Sequence, residues 1–120
     1  MAFRVNIEKA TLNNTYFRRV LDTTETQQLV VMHLEPGEEI GMEVHPKTTQ
    51  SIRIEKGVAE VRAANKRYRL KDGDWITIHP NTRHNVWNAS KSAPLKLYTI
   101  YSPPEHQPGT KQKRRPVKNE

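Results

Sequence analysis

Residues 37–57 read GEEIGMEVHPKTTQSIRIEKG, and this stretch carries most of the side chains that could bind one metal ion. Glu43 and His45 are two positions apart, so in a strand they lie on the same face. Gln50 offers an amide oxygen on the strand that follows. The one suitable partner far away in the sequence is His84. A carboxylate, two imidazoles and an amide from three strands predict a divalent-ion site inside a β-barrel, where inward side chains recur at every second residue.

A second run, residues 73–88, surrounds His84. In the first run Gly37 is followed after five residues by Glu43-Val44-His45, after four more by Gln50 and after six more by Gly57. In the second, Gly73 is followed after five residues by His79-Pro80-Asn81, after two more by His84 and after three more by Asn88. The two runs resemble the paired signature of the cupin superfamily.

That resemblance covers roughly residues 35–101. It implies an all-β fold, the double-stranded β-helix of the jelly-roll kind, with a pocket between the sheets and a homodimeric assembly. We therefore expect residues 1–104 to form a single cupin-like barrel domain with its core signature at 35–101. Residues 105–120 are expected to be a basic, flexible C-terminal tail that lies over the surface or hangs free.

The chain departs from the cupin signature at four positions. Glu43 replaces the first His and Gln50 replaces Glu, which keeps the number of donors, although an amide oxygen binds a cation more weakly than a carboxylate does. Asn81 replaces Gly, a mild change because Asn tolerates the left-handed region. His79 replaces Pro and adds a titratable group at the mouth of the expected pocket.

The expected ligands of the metal are Glu43, His45, Gln50 and His84. Such a mixed donor set suits Mn, Fe, Ni or Zn. The pocket for a small-molecule ligand is expected to be lined by Lys47, Ile52, Ile54, His79 and Val86. As an ammonium group, Lys47 would either repel the cation or bind an anionic substrate beside it. Taken alone, a histidine at the start of a strand is more often a surface or hydrogen-bonded residue than a metal ligand, and this is our expectation for His33, His79 and His106.

Short segments rich in β-branched and aromatic residues recur along the chain, separated by turn residues, and no stretch holds a helical period for long. An all-β fold follows from this pattern alone. The expected strands are Phe3 to Glu8, Tyr16 to Leu21, Leu29 to Leu34, Gly41 to His45, Gln50 to Glu55, Val58 to Ala63, Arg67 to Leu70, Trp75 to Ile78, His84 to Asn88 and Leu95 to Tyr101.

The composition excludes several classes of protein. With no cysteine, a disulfide framework and a thiolate metal site are ruled out. The N-terminus has no apolar core typical of a signal peptide, and no apolar run approaches the length of a membrane span. We therefore expect a cytoplasmic protein without a membrane partner.

The net charge of +7 is concentrated at the C-terminus. Five cations there stand against Glu120: Lys111, Lys113, Arg114, Arg115 and Lys118. One interpretation is a solvated end, and the other is weak, non-specific contact with nucleic acid.

Two functional hypotheses follow. The first is a small cupin that binds a divalent ion and a small polar or anionic organic ligand, as an isomerase or oxygenase would. The second is a degenerate, non-enzymatic cupin that serves as a binding or structural module, with its basic tail docking on nucleic acid or another acidic partner. No catalytic residue beyond the ligands stands out in the sequence.

Overall fold

The computed structural model describes residues 1–117, which form one short helix and nine strands. In chain order the elements are α1 (Ile7–Asn13), β1 (Arg18–Thr23), β2 (Gln28–Leu34), β3 (Thr49–Lys56), β4 (Val58–Ala63), β5 (Lys66–Lys71), β6 (Trp75–Ile78), β7 (His84–Asn88), β8 (Leu95–Ser102) and β9 (Lys111–Gln112). Across residues 1–117, no helix is long and apolar enough to cross a membrane.

The strands form two antiparallel sheets that face each other. The larger has the order β6-β3-β8-β2-β1-β9 and the smaller has the order β5-β4-β7. Apolar side chains from both sheets meet in one buried cluster, to which β3 contributes Ile52 and Ile54 and β4 contributes Val61. The prediction of an all-β double-stranded β-helix is confirmed.

Alternation of apolar and polar residues explains the long strands. In β3 and β8 every second residue is buried, and Leu95, Leu97 and Tyr101 are fully enclosed. Strands β4, β6 and β7 begin and end at the predicted residues, and the other strands of the core differ from prediction by one or two residues. Strand β1 begins later than expected because the Asn14 side chain bonds both backbone groups of Tyr16 and holds the chain in a turn.

Gly57 joins β3 to β4 in a conformation that other residues rarely adopt. Its φ is +111°, and a Cβ at this position would lie 2.8 Å from the carbonyl oxygen of Pro94. Both the dihedral and the close approach of the backbone therefore require glycine.

The prediction of a strand from Phe3 to Glu8 is wrong, because the chain forms α1 from Ile7 onward. The Asn6 side chain accepts a hydrogen bond from the backbone N–H of Lys9, which caps the helix. The inward positions of this segment are Ile7, Ala10, Thr11 and Asn14, a helical spacing that the alternation at residues 3–7 concealed.

The prediction of a strand from Gly41 to His45 is also wrong in detail. Residues 38–43 run antiparallel to β7, but regular pairing is interrupted and only isolated bridges remain, at Glu39 and Glu43. Gly41, with φ at +113°, turns its N–H to the Asn85 side chain instead of to the backbone of β7.

Residues 105–117, expected to be flexible, lie against the barrel over the edge of β1. Strand β9 pairs with β1, and the backbone N–H groups of Phe17 and Val20 donate to the carbonyls of Lys113 and Thr110. The predicted domain division at residue 104 therefore separates two parts that share a sheet. Lys118, the last of the predicted tail cations, lies outside the described residues.

Gln28 anchors the start of this C-terminal segment. Its fully buried amide donates to the Thr23 hydroxyl and the His106 carbonyl, and it accepts from the backbone N–H groups of Glu105 and His106. One side chain from β2 thus satisfies three backbone groups of the turn at residues 105–106.

Replacing Gln28 with Leu should lower the free energy of unfolding by about 2–4 kcal/mol, because three backbone groups lose their partner. Urea unfolding followed by circular dichroism measures the change. Gln27→Leu is the matched control, since Gln27 is exposed and only its backbone is hydrogen-bonded. Equal stability of the two variants would show that Gln28 does not anchor the segment.

Candidate metal centre

The site forms where the backbone of residues 38–43 meets the start of β7. The N–H of Glu43 donates to the carbonyl of His84 at 2.8 Å, and the N–H of His84 donates back to Glu43 at 3.0 Å. This pairing places both side chains beside His45. One potential ligand atom from each of the three residues lies within 4.8 Å of the other two, and both imidazoles are buried.

His45 is held between two carboxylates. Its Nδ1 lies 3.3 Å from Glu105 and its Nε2 lies 3.5 Å from Glu43. The longer contact is electrostatic, since Nε2 is buried and has no hydrogen-bond partner. A carboxylate behind one ring nitrogen of a histidine, with the other nitrogen free, is the arrangement that orients metal-binding histidines in proteins.

His84 is fixed in one tautomer. Its Nδ1 lies 2.7 Å from the carbonyl oxygen of Thr82, which can only accept, so Nδ1 carries the proton. Burial lowers the pKa of His84, which leaves the imidazole neutral and its Nε2 with a free lone pair.

That lone pair faces the amide of Gln50. The Gln50 Oε1 lies 3.0 Å from His84 Nε2, and the Gln50 Nε2 donates to the Tyr101 hydroxyl. Two acceptors cannot hydrogen-bond to each other, so this contact requires either a reversed amide or a cation that both atoms bind.

The charges of the cluster are interdependent. Burial raises the pKa of Glu43, but contact with His45 and the charges of His45 and Arg18 outweigh it and hold the pKa below its ordinary value. The contact with Glu43 raises the pKa of His45, burial opposes this, and the charge of Glu105 adds to it. An ionised Glu43 beside a lone pair of His84 is a donor pair suited to a divalent cation.

Three of the residues around the cluster did not emerge from the sequence. They are Arg18, Glu105 and His106, which approach from β1 and from the C-terminal segment. One feature of the sequence could have pointed to Arg18. It lies two positions before Val20 on a predicted strand, so its charged side chain shares the apolar face of that strand. Glu105 and His106 had no such feature, because their position depends on the buried anchor Gln28.

His106 packs against Tyr101, which also contacts His45. The His106 and Tyr101 rings meet edge to face, with 5.2 Å between centroids. The Nε2 of His106 is buried without a hydrogen-bond partner. Burial and the charge of Arg18 lower the pKa of His106 to about 4.

The residues predicted to line a small-molecule pocket are dispersed. Ile52, Ile54 and Val86 are buried in the apolar cluster, on the inward faces of β3 and β7. His79 lines a separate open cleft of about 510 Å³ with Tyr68 and Trp75, between the edges of the two sheets. Lys47 is exposed on the loop after His45.

Four of the predicted tail cations fall within the described residues. Lys111 lies over the Tyr16 ring with its Nζ 4.6 Å from the centroid, and Arg115 lies against Gly41. Lys113 and Arg114 are exposed. Contact of these residues with nucleic acid stays a prediction.

Comparison with known proteins agrees with the fold and with the position of the two sequence runs. The family profile described as Cupin domain matches residues 30–101. The chain belongs to the cupin family. The matched range contains the residues 43–50 and 84 from which the candidate metal centre is built.

Proteins with similar sequences occur in a virus and in a bacterium. The chain is 49% identical over 115 residues to the uncharacterized protein L612 of Acanthamoeba polyphaga mimivirus, covering 93% of this chain and 72% of that one. It is 41% identical over 114 residues to the uncharacterized protein YrkC of Bacillus subtilis, covering 90% of this chain and 61% of YrkC. The chain thus spans less than two thirds of YrkC.

A solved structure with the same fold is BH2720 from Bacillus halodurans. It is 39% identical, with a TM-score of 0.90, over 94% of this chain and 89% of that chain. The match therefore extends over most of both chains.

Protonation of His106 should destabilise the metal-free protein in acid. Between pH 4 and 6.5 the unfolded chain binds a proton at this position and the folded chain does not, so the free energy of unfolding falls as the pH falls through this window. His106→Gln should flatten that dependence. Urea unfolding at pH 4.5 and 7 in the presence of EDTA measures it.

The matched control is His79→Gln, because His79 is an exposed histidine of the same protein. This variant should keep the pH dependence of the wild type. If His106→Gln kept it as well, the buried environment of His106 would be refuted.

Proposed function

We propose that the protein binds a divalent metal ion through Glu43, His45 and His84, with Gln50 as a fourth, weaker donor, and that it uses the ion to bind a small polar or anionic organic ligand. The candidate ions are Mn, Fe, Ni and Zn, which accept mixed oxygen and imidazole ligands. Each of the four donors lies on the barrel's inward side or at its mouth.

One observation carries the proposal. His45 Nε2 is buried, has no hydrogen-bond partner and lies 3.5 Å from the Glu43 carboxylate, in a cluster whose third member is His84. A buried polar atom without a partner costs about 1–3 kcal/mol, so it needs an explanation. A cation at the centre of the cluster supplies one, because it takes the Nε2 lone pair and the charge of Glu43 together.

The residues behind the donors fit the same purpose. Glu105 holds Nδ1 of His45, and the Thr82 carbonyl holds Nδ1 of His84, so both rings present Nε2 to the centre. Tyr101 lies against Gln50 and His45, and burial raises its pKa, so its hydroxyl stays protonated and can donate to an amide or to a bound ligand.

When bound, such an ion supplies Lewis-acid or redox chemistry, which isomerases and oxygenases use. The chain's own contribution is to orient the ligand and to exclude water from the inner side of the site, where apolar residues of β3 and β7 close the barrel. The Glu43 side chain is about 28% exposed, and it marks the side of the site that is open to solvent.

A homodimer is part of this proposal. Exposed apolar side chains support it, since Met1, Phe3, Val5 and Leu12 form the N-terminal arm and the outer side of α1. A contact with a second copy of the chain would cover them.

His84→Gln should remove the bound ion, because it replaces an imidazole lone pair with a weaker amide. Elemental analysis of protein purified without chelators or a His tag should give about one ion per wild-type chain and almost none for the variant. Added metal should then raise the melting temperature of the wild type only, by mass action on the folded state.

Gln50→Glu should instead tighten metal binding by restoring an anionic donor.

His79→Gln is the control for loss of a histidine, since His79 lines the separate cleft. Its metal content should equal that of the wild type. Wild-type protein without metal, even after incubation with each of the four ions, would contradict the proposal and favour the alternative of a non-enzymatic binding module.

A further inference from the structure

Arg18 is a buried cation whose charge is not balanced by an ion pair. The residue is 7% exposed, and it shares the inward face of β1 with Val20. Within residues 1–117 the ion pairs involve other residues, and Arg18 takes part in none of them. Arginine is almost never buried to this extent without an anionic partner.

The contacts that Arg18 does make leave donors free. One guanidinium nitrogen donates to the neutral amide of Gln112 at 2.7 Å, and the guanidinium lies 5.1 Å from the centroid of the Phe17 ring. Its Nε is buried and has no hydrogen-bond partner. Since guanidinium presents five donors in a planar fork, the free ones match a carboxylate held side-on.

Arg18 faces a cavity that reaches the candidate metal centre. The cavity has a volume of about 140 Å³ and is lined by Phe17, Arg18, Ile40, Glu43, Arg115 and Pro116. We call it the Arg18 cavity. A water molecule occupies about 30 Å³ of the liquid, so the cavity holds roughly five heavy atoms. That is enough for one carboxylate group and the carbon atoms next to it, so the other end of a dicarboxylate would extend out of the cavity past Glu43.

A second guanidinium lines the same cavity. Arg115 reaches it from the C-terminal segment, with its Nη2 3.0 Å from the place where a Cβ would stand on Gly41. A glycine therefore makes room for this side chain. The charge of Arg18 also contributes to the lowered pKa of Glu43 and of His106, so Arg18 lies near both groups.

The charge balance favours an anion as the occupant. The two guanidiniums equal the two carboxylates of the site, Glu43 and Glu105, in number, but within residues 1–117 both carboxylates contact His45 and neither forms an ion pair with a guanidinium. A divalent ion at the proposed metal centre would leave its own charge uncompensated, in a buried environment where that is costly. An anionic ligand that contacts both the ion and the guanidiniums would compensate the charge of the ion and the unpaired charge of Arg18.

We infer that the Arg18 cavity is the carboxylate subsite of the protein, in which Arg18 and Arg115 bind a small mono- or dicarboxylate whose other end points toward Glu43, His45 and His84. This inference rests on the proposed function for the contact with the ion, but the guanidinium contact stands without it. It assigns recognition of an anionic ligand to Arg18, not to the exposed Lys47.

Binding of malonate, followed by calorimetry, tests the inference, with uncharged malonamide as the neutral counterpart. Wild-type protein, metal-free and after loading with Zn²⁺, should bind malonate and ignore malonamide. Arg18→Gln should weaken malonate binding by about 10- to 100-fold, the effect of losing charge-assisted hydrogen bonds. Arg18→Lys should fall between the two, because it keeps the charge and loses the fork.

The matched control is Arg19→Gln, since Arg19 neighbours Arg18 on the same strand but is exposed on the opposite face. Its malonate affinity should equal that of the wild type. Arg115→Gln provides a second route if Arg18→Gln does not fold, because Arg115 belongs to the surface segment, and it should also weaken binding. Equal affinity in the Arg18, Arg19 and Arg115 variants would overturn the subsite.

Two measurements distinguish the carboxylate subsite from a purely structural role of Arg18 and from the proposed metal binding. A purely structural Arg18 would lower the unfolding midpoint when replaced, whereas a buried cation kept for a ligand should not, because its burial is itself costly. Metal content separates the subsite from the proposed function. Arg18-dependent malonate binding in a protein that takes up no metal would refute the metal proposal alone, and metal uptake without such binding would refute the subsite alone.

Discussion

The candidate site depends on one pair of backbone hydrogen bonds, between Glu43 and His84. The two residues are far apart in sequence, and this reciprocal contact fixes their side chains on the same side of the barrel. His45 follows Glu43 on the same loop, and Gln50 lies on the next strand. The pairing of Glu43 with His84 therefore brings all four donors together. A shift of one residue in this pairing would turn His84 away from the centre and place its neighbour there.

The C-terminal segment completes the arrangement from outside the barrel. It supplies Glu105 behind His45, and it carries Arg115 to the Arg18 cavity. Its position relies on pairing with β1 and on the amide of Gln28. A part of the chain that composition alone predicts to be a solvated tail thus controls the charge around the ligands.

Sequence reasoning predicted the elements that repeat a local pattern. The alternation in β3, β7 and β8 reflects one buried face, and signature spacing brought Glu43, His45, Gln50 and His84 to one place. It failed at one element where a local signal was misread, and at residues that only a nonlocal contact brings to the site. The helix at Ile7–Asn13 replaced an apparent strand because its inward residues have a helical spacing. Arg18, Glu105 and His106 become neighbours of the site only through the fold, which no local period encodes.

Anomalous diffraction from crystals grown with Co²⁺ or Zn²⁺ tests the central claim most directly. We expect a single strong peak bonded to the Glu43 carboxylate and to Nε2 of both His45 and His84, at about 2.0–2.2 Å, with the Gln50 oxygen turned toward it. A map without a peak at this position, with His84 still in contact only with Gln50 and Thr82, would contradict it.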